Sequence, residues 1–214
     1  AGRVAKDTTL SQAAREPPDR SCAPAEGAAS GTLRDCIARH PDPMKFIHAA
    51  DLHIDSPLKG LDEYAGAPLE RLRGATRQAF LGLVAAAIER RVDLVVLAGD
   101  IFDGNWQDFR TGLFFREQLV HLTRAGVRVF IAKGNHDAES LITRQLPAVQ
   151  GVHLFSSRSC ETIRLDDLGV ALHGRSFPQR AVNEDFVAGY NPPVAGLFNI
   201  GVLHTSLNGR PGHA

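Results

Sequence analysis

The sequence predicts an α/β fold, in which short parallel strands alternate with helices along the chain. Three observations lead to this prediction. Short apolar runs recur from residue 45 onward, the longer segments between them have helical periodicity, and polar side chains follow the ends of the runs. A strand that returns to the same sheet in parallel needs a crossover of about a dozen or more residues, usually a helix. This alternation is therefore typical of an α/β domain.

The first predicted strand and the first predicted helix come directly after Met44. Residues 45–50 are a short apolar run that ends abruptly at Asp51. Residues 69–91 carry apolar side chains at helical spacing, which predicts an amphipathic helix. Its apolar face is expected to consist of Leu72, Ala75, Ala79, Leu83, Ala86 and Ala87.

The elements that follow complete a βαβαβ order. Residues 93–98 are apolar almost throughout, as expected of a strand that is covered on both faces. A second helix over residues 109–125 is predicted to end at Gly126, because glycine is common just after a helix C-terminus. A third strand is predicted at residues 127–132, and shorter strands at 161–165, 169–173 and 197–203.

Charge and composition restrict the classes of function. The chain has 214 residues, with 24 Lys and Arg against 24 Asp and Glu, so its formal net charge is zero. This balance excludes a globally basic DNA-binding surface, so any contact with DNA has to come from a local patch or from a partner. The hydrophobic fraction of 43% is typical of a globular protein. No apolar run approaches the roughly 20 residues of a membrane-spanning helix, so we expect no membrane partner.

The first 43 residues differ in composition from the rest of the chain. Residues 1–43 contain no aromatic side chain and are rich in Ala, Pro and Arg. Such a segment buries too little apolar surface to offset the entropy of ordering, so we expect it to be a disordered extension. Met44 is the only methionine and stands where the periodic pattern begins. We therefore assign the folded domain to residues 44–214, with the hypothesis that Met44 is the natural start.

The cysteines indicate the redox compartment. Cys22, Cys36 and Cys160 are odd in number and lack the spacing of a zinc or redox motif. A disulfide framework and a thiolate metal site are both disfavoured, which is typical of a protein of the reducing cytoplasm.

Polar side chains cluster directly after four of the predicted strands. Because the carboxyl ends of parallel strands line one crevice, we expect these clusters to converge. Carboxylate, amide and imidazole ligands without cysteine suit Mn²⁺, Fe or Zn²⁺. The clusters are Asp51 with His53, then Gly99-Asp100, then Gly134-Asn135-His136-Asp137, and finally His204.

The order of these clusters resembles that of the calcineurin-like metallophosphoesterases, whose pattern is Asp-x-His, Gly-Asp, Gly-Asn-His-Asp/Glu, a lone His, then Gly-His-x-His. The flanking residues at 50–61, 99–115 and 198–210 resemble the YhaO/SbcD-like branch of DNA-repair exonucleases. The resemblance covers residues 44–214. It implies a sandwich of mixed β-sheets flanked by helices, and a phosphodiesterase that hydrolyses DNA by a two-metal mechanism.

The resemblance also implies a role for each residue. Asp51 and His53 are expected to bind a first metal ion, and the carboxylate of Asp100 is expected to bridge it to a second. Two cations about 3.5–4 Å apart can clamp the attacking and leaving oxygens of an in-line displacement, and Mn²⁺ is the expected ion. The remaining expected residues are Asn135 and His204 as ligands of the second ion, His136 as proton donor to the leaving oxygen, and Asp137 as the carboxylate that orients His136.

The chain departs from the family at one point. The final Gly-His-x-His is absent, so we expect the domain to be C-terminally incomplete, and its own activity stays an open question. The resemblance implies DNA as substrate and an SMC-like coiled-coil ATPase as partner, and it leaves a homodimer open. A small-molecule phosphoesterase and a catalytically silent scaffold are the alternatives. Asp55 and Asp103 either support the ligands from behind or cap turns, and His173 is expected to lie apart from the site.

Overall fold

A computed structural model of the protein describes residues 43–56, 74–103, 108–139, 148–182 and 184–205. The predicted disorder of the N-terminal extension and the first turn of the predicted helix 69–91 lie outside these residues. Of the three cysteines, Cys160 is described, and it is buried and free of any disulfide. No helix in the described part of the chain is long and apolar enough to cross a membrane.

Strands and helices alternate in the first half of the described chain, and strands dominate the second half. The elements are β1 (Phe46–Ala49), α1 (Ala75–Glu89), β2 (Leu94–Ala98), α2 (Phe109–Arg124), β3 (Arg128–Ala132), β4 (Val152–Leu154), β5 (Glu161–Leu165), β6 (Val170–Gly174) and β7 (Phe198–Val202).

The first four strands form a parallel sheet in the order β1-β2-β3-β4. Pairing continues past the ends of β1 and β2, because the backbone N–H groups of Asp51 and His53 donate to the carbonyl oxygens of Gly99 and Asp100, both at 3.0 Å. The polar segments that follow β1, β2 and β3 therefore leave the sheet at the same edge, as the sequence predicts.

The last three described strands form a second sheet in the order β5-β6-β7. Strand β5 is antiparallel to β6, and β6 is parallel to β7. His204 follows β7 by two residues, so this second sheet delivers the last predicted ligand. The expected mixed β-sheet sandwich is confirmed.

The central strand β2 shows how the layers pack. Val95 and Leu97 lie in one core cluster with side chains of α1 and α2. Leu94, Val96 and Ala98 lie in another cluster with side chains of β5, β6 and β7. Alternate residues of a strand point to opposite faces, so the parallel sheet is covered by helices on one face and by the second sheet on the other. Every residue of β2 is buried, as predicted.

The buried face of α1 is rotated relative to the predicted one. The buried residues are Phe80, Val84 and Ala87, each one position beyond a predicted apolar position except Ala87 itself. The ring of Phe80 lies 5.3 Å from that of Phe115 on α2. A phenyl ring buries far more apolar surface than the methyl group of Ala79, so the aromatic contact sets the rotation of the helix.

Two further details concern helix ends and a short strand. Helix α2 ends at Arg124, and Gly126 follows with a φ of +83°, so the predicted C-terminal glycine is confirmed. Strand β4 is not predicted from the sequence. It has three residues and its side chains are half-buried or exposed, so it lacks the apolar run by which a strand is recognised.

Replacing Gly174 by alanine tests the packing between the two sheets. A Cβ at Gly174 would lie 2.5 Å from ring atoms of Phe155, which is almost fully buried. Gly174→Ala is expected to lower the free energy of unfolding by about 1–3 kcal/mol, the usual cost of overpacking a core. Urea denaturation measures this.

Gly201→Ala on the neighbouring strand is the control, because a Cβ there meets nothing within 4 Å. We expect its free energy of unfolding to stay within about 0.5 kcal/mol of the parent. Equal stability of the two variants would contradict the described packing at Gly174.

Candidate metal centre

The loops that carry the predicted ligands have an unusual backbone. Asp51, His53, Asp55 and Asp100 have φ values of +53°, +40°, +56° and +52°, in the left-handed region. Aspartate adopts this region more readily than most residues, but each such residue still costs about 1 kcal/mol or more. Residues of this kind cluster at functional sites, where the surrounding structure holds them in place.

Asp100 is the buried centre of the site, with 5% of its surface exposed. Its Oδ1 accepts a hydrogen bond from the backbone N–H of His136 at 3.1 Å. Its Oδ2 lies 3.3 Å from Nε2 of His204 and 4.0 Å from Nε2 of His53. Burial disfavours its charge, but the hydrogen bonds and positive charge from His204 and His136 hold its pKa below the usual value. The carboxylate is therefore ionised at neutral pH.

The two neighbouring imidazoles present the same ring nitrogen to Asp100. Nδ1 of His204 donates to the carbonyl oxygen of Ala98 at 3.0 Å, and Nδ1 of His53 lies 2.8 Å from Oδ1 of Asp103. A carbonyl or a carboxylate oxygen only accepts, so the proton of each neutral ring sits on Nδ1. The Nε2 lone pairs then face Asp100. This arrangement is typical of metal-binding histidines.

A divalent cation fits this set of donors. Ligand atoms of Asp51, Asp100 and His204 all lie within 4.8 Å of one another, and Oδ1 of Asn135 lies 3.2 Å from Nε2 of His204. Burial lowers the pKa of His204, but the neighbouring carboxylates, above all that of Asp100, raise it to about 9. A proton on Nε2 thus provides the positive charge that these oxygens require, and a metal ion meets the same requirement. The structure brings together all five expected ligands.

Two glycines make room for these contacts. A Cβ on Gly134 would overlap the carboxylate and the backbone nitrogen of Asp100, and a Cβ on Gly99 would overlap the ring of His204. Gly99 also has a φ of +87°. The glycines of the Gly-Asp and Gly-Asn-His-Asp segments are therefore required by close approach.

The structure corrects the expected role of Asp137. Its carboxylate, 1% exposed, accepts from the backbone N–H groups of Phe102 at 2.9 Å, Gly134 at 3.0 Å and Ile101 at 3.1 Å. Burial raises its pKa in spite of these three donors. Asp137 forms no ion pair with His136 among the described residues. It joins the loops that follow β2 and β3, and so acts on their backbones.

Asp103 occupies the position beside His136 that we expected for Asp137. Its Oδ1 lies 3.5 Å from Nδ1 of His136, and the same oxygen contacts His53. Its Oδ2 accepts a hydrogen bond from the hydroxyl of Ser56. Of the two interpretations that the sequence leaves open for Asp103, the structure supports a carboxylate behind the ligands.

Two other histidine environments complete the description. The ring of Phe177 packs edge-on against that of His204 at 5.9 Å between ring centres, a contact that no feature of the sequence indicates. His173 lies in the second sheet, where its ring nitrogens contact Thr162 at 2.9 Å and Asn199 at 2.8 Å. His173 is therefore part of a hydrogen-bond chain in the sheet, and not of the metal centre.

Comparisons with known proteins agree with this geometry. Over 173 residues the chain is 33% identical to the uncharacterized metallophosphoesterase YhaO of Bacillus subtilis, an alignment that covers 79% of this chain and 42% of YhaO. It is 27% identical over 187 residues to the DNA double-strand break repair protein Mre11 of Methanopyrus kandleri, covering 78% of this chain and 38% of that protein. The chain thus spans about two fifths of the length of these relatives.

A third relative has a name that states an activity. Over 96 residues the chain is 29% identical to one of the polypeptides of the nuclease SbcCD of Escherichia coli, covering 44% of this chain and 22% of that polypeptide. The family model of the calcineurin-like phosphoesterases matches residues 44–201, which include both sheets and every expected ligand except His204. With this match and the converging donors at the edge of its parallel sheet, the chain belongs to the calcineurin-like phosphoesterase family.

Proposed function

We propose that this protein is a metal-dependent phosphodiesterase that hydrolyses DNA from its ends. The observation that carries the proposal is the convergence of the ligand atoms of Asp51, Asp100 and His204 within 4.8 Å, with His136 beside them. The choice of DNA rests on the relatives named a DNA double-strand break repair protein and a nuclease.

Five residues would hold the metal ions, for which Mn²⁺ is proposed. When bound, divalent cations supply Lewis acidity toward the phosphoryl oxygens of an in-line displacement. The chain supplies a carboxylate with two oxygens at the centre, which suits a bridging role, and fixes the neighbouring imidazoles through Nδ1. The proposed ligands are Asp51, His53, Asp100, Asn135 and His204.

His136 is the proposed proton donor to the leaving oxygen. Its backbone N–H is fixed by Asp100, and its Nδ1 lies 3.5 Å from Asp103. A proton shared between Nδ1 and the carboxylate keeps the ring oriented and favours its protonated form, so that Nε2 can carry the proton for the departing sugar oxygen. Asp103 also holds His53, so one carboxylate orients both a ligand and the proton donor. Asp137 contributes by fixing the backbone on both sides.

The net charge bears on how DNA would reach the site. With a formal charge of zero, the chain lacks the overall attraction for phosphates that DNA-binding domains use. We therefore propose that an SMC-like coiled-coil ATPase, in the cytoplasm, supplies most of the DNA affinity. A homodimer stays open within this arrangement.

The choice of substrate class is tested with three phosphodiesters in the presence of Mn²⁺. We expect hydrolysis of linear duplex DNA, with mononucleotides or short oligonucleotides released from its ends, and no cleavage of covalently closed circular DNA. Hydrolysis of bis-p-nitrophenyl phosphate without any release from DNA would instead support a small-molecule phosphoesterase. Mn²⁺ binding without hydrolysis of any of the three would support a silent scaffold.

Asp100→Asn is expected to weaken Mn²⁺ binding more than any other single change, because it removes the charge at the centre of the donor set. The loss should exceed the roughly 10–100-fold effect that is typical of residues behind metal ligands. Isothermal titration calorimetry of the purified protein measures it. Asp167→Asn is the control, since Asp167 is an exposed partner of Arg128. Equal affinities of the two variants would refute the assignment.

His136→Ala is expected to slow DNA hydrolysis by about 10²–10⁴-fold, the usual contribution of a general acid, and to leave Mn²⁺ content unchanged. The effect on bis-p-nitrophenyl phosphate should be much smaller, because p-nitrophenolate leaves without a proton. Asn135→Ala should slow both substrates alike, because it disturbs the metal ions. Equal slowing of both substrates by His136→Ala, or loss of its metal, would contradict the role of proton donor.

A further inference from the structure

We propose that Asp55 is a positioning residue that clamps the ligand loop, defined as residues 51–56, onto helices α1 and α2 and thereby sets the metal affinity of the site. The inference rests on the proposed function, because it takes Asp51 and His53 as ligands. It concerns a carboxylate whose role the sequence leaves open.

Asp55 receives hydrogen bonds from both helices. Its Oδ1 accepts from Nε of Arg77 at 3.1 Å, and its Oδ2 accepts from Nη2 of the same guanidinium. Oδ2 also accepts from the hydroxyl of Thr111 at 2.7 Å. The backbone N–H of Asp55 donates to Oγ1 of Thr76 at 3.1 Å. Thr76 and Arg77 belong to the first turn of α1, and Thr111 to the first turn of α2.

These contacts occupy the carboxylate completely on the side of the helices. The side chain of Asp55 is 17% exposed, and Thr111 is fully buried. The guanidinium of Arg77 is itself held, because its Cζ lies 4.4 Å above the ring of Phe114. A bidentate ion pair with a stacked guanidinium is both stronger and more directional than an ordinary surface pair. Asp55 is therefore an anchor of the loop, and its oxygens are not directed to the metal centre.

The ligand loop needs such an anchor because its backbone is strained. Asp51, His53 and Asp55 all have positive φ, so every second residue of this segment has a conformation that an isolated chain avoids. Hydrogen bonds to Gly99, Asp100 and Ile101 fix one side of the loop. The Asp55 clamp fixes the other side, two residues beyond His53.

Loss of the clamp is expected to act on the metal ions through the loop. A loop that relaxes toward ordinary φ values moves Asp51 and His53 away from Asp100, and the protein must then restore the strained geometry whenever a metal ion binds. Residues that orient ligands typically contribute about 10–100-fold to metal affinity. We expect a loss in this range for Asp55→Asn, which keeps the size of the side chain and removes its charge.

The test measures Mn²⁺ affinity by calorimetry and amide hydrogen exchange of residues 51–56 in the metal-free protein. Asp55→Asn and Thr111→Val should each weaken Mn²⁺ binding and speed exchange in the loop, whereas Thr111→Ser, which keeps the hydroxyl, should restore both values. Arg128→Gln is the matched control, because Arg128 forms a bidentate pair with Asp167 at 2.9 and 2.6 Å. That pair lies outside the site, so its loss should leave both readouts unchanged.

The outcomes separate this inference from the proposed function. Parent-like Mn²⁺ affinity and loop exchange in Asp55→Asn and Thr111→Val would overturn the clamp, while leaving the metal centre standing. A lowered melting temperature with unchanged Mn²⁺ affinity would also overturn it, because a merely structural role predicts that result. A parent protein that binds no Mn²⁺ would overturn the metal centre, and the clamp with it.

Discussion

A buried carboxylate needs positive charge or N–H donors around it, and Asp100 obtains them from segments that follow three different strands. His53 comes from β1, the backbone N–H of His136 from β3, and His204 from the second sheet. The two sheets must therefore pack in the observed arrangement for this charge to be tolerated at 5% exposure. The same requirement makes the site receptive to a cation, since the surrounding oxygens and imidazole lone pairs otherwise need a proton on His204.

The supporting structure fixes the backbone of the loops more than the ligand side chains themselves. Asp137 accepts from three backbone N–H groups, and Asp55 joins the ligand loop to both helices. Asp103 is the exception, because it contacts the rings of His53 and His136 directly. Carboxylates thus serve as ligands, loop anchors and ring partners in one small region, and burial together with nearby donors decides which role each one takes.

The sequence predicts the convergence of the ligands because a simple rule governs it: parallel strands end at one edge, and polar residues that follow them meet there. It does not predict which carboxylate orients His136. Asp137 is adjacent in the chain, but its side chain turns toward free backbone N–H groups, and Asp103 reaches the ring from another loop. The rotation of α1 is missed for a similar reason, since the contact of Phe80 with Phe115 depends on a helix distant in sequence.

The central claim is that the donors around Asp100 bind divalent metal. The most direct measurement is anomalous diffraction at the manganese edge from crystals of the protein equilibrated with Mn²⁺. The account predicts an anomalous peak in contact with a carboxylate oxygen of Asp100 and with Nε2 of His204. A peak at another place on the protein, or no peak while His204 stays hydrogen-bonded to Asp100, would contradict it.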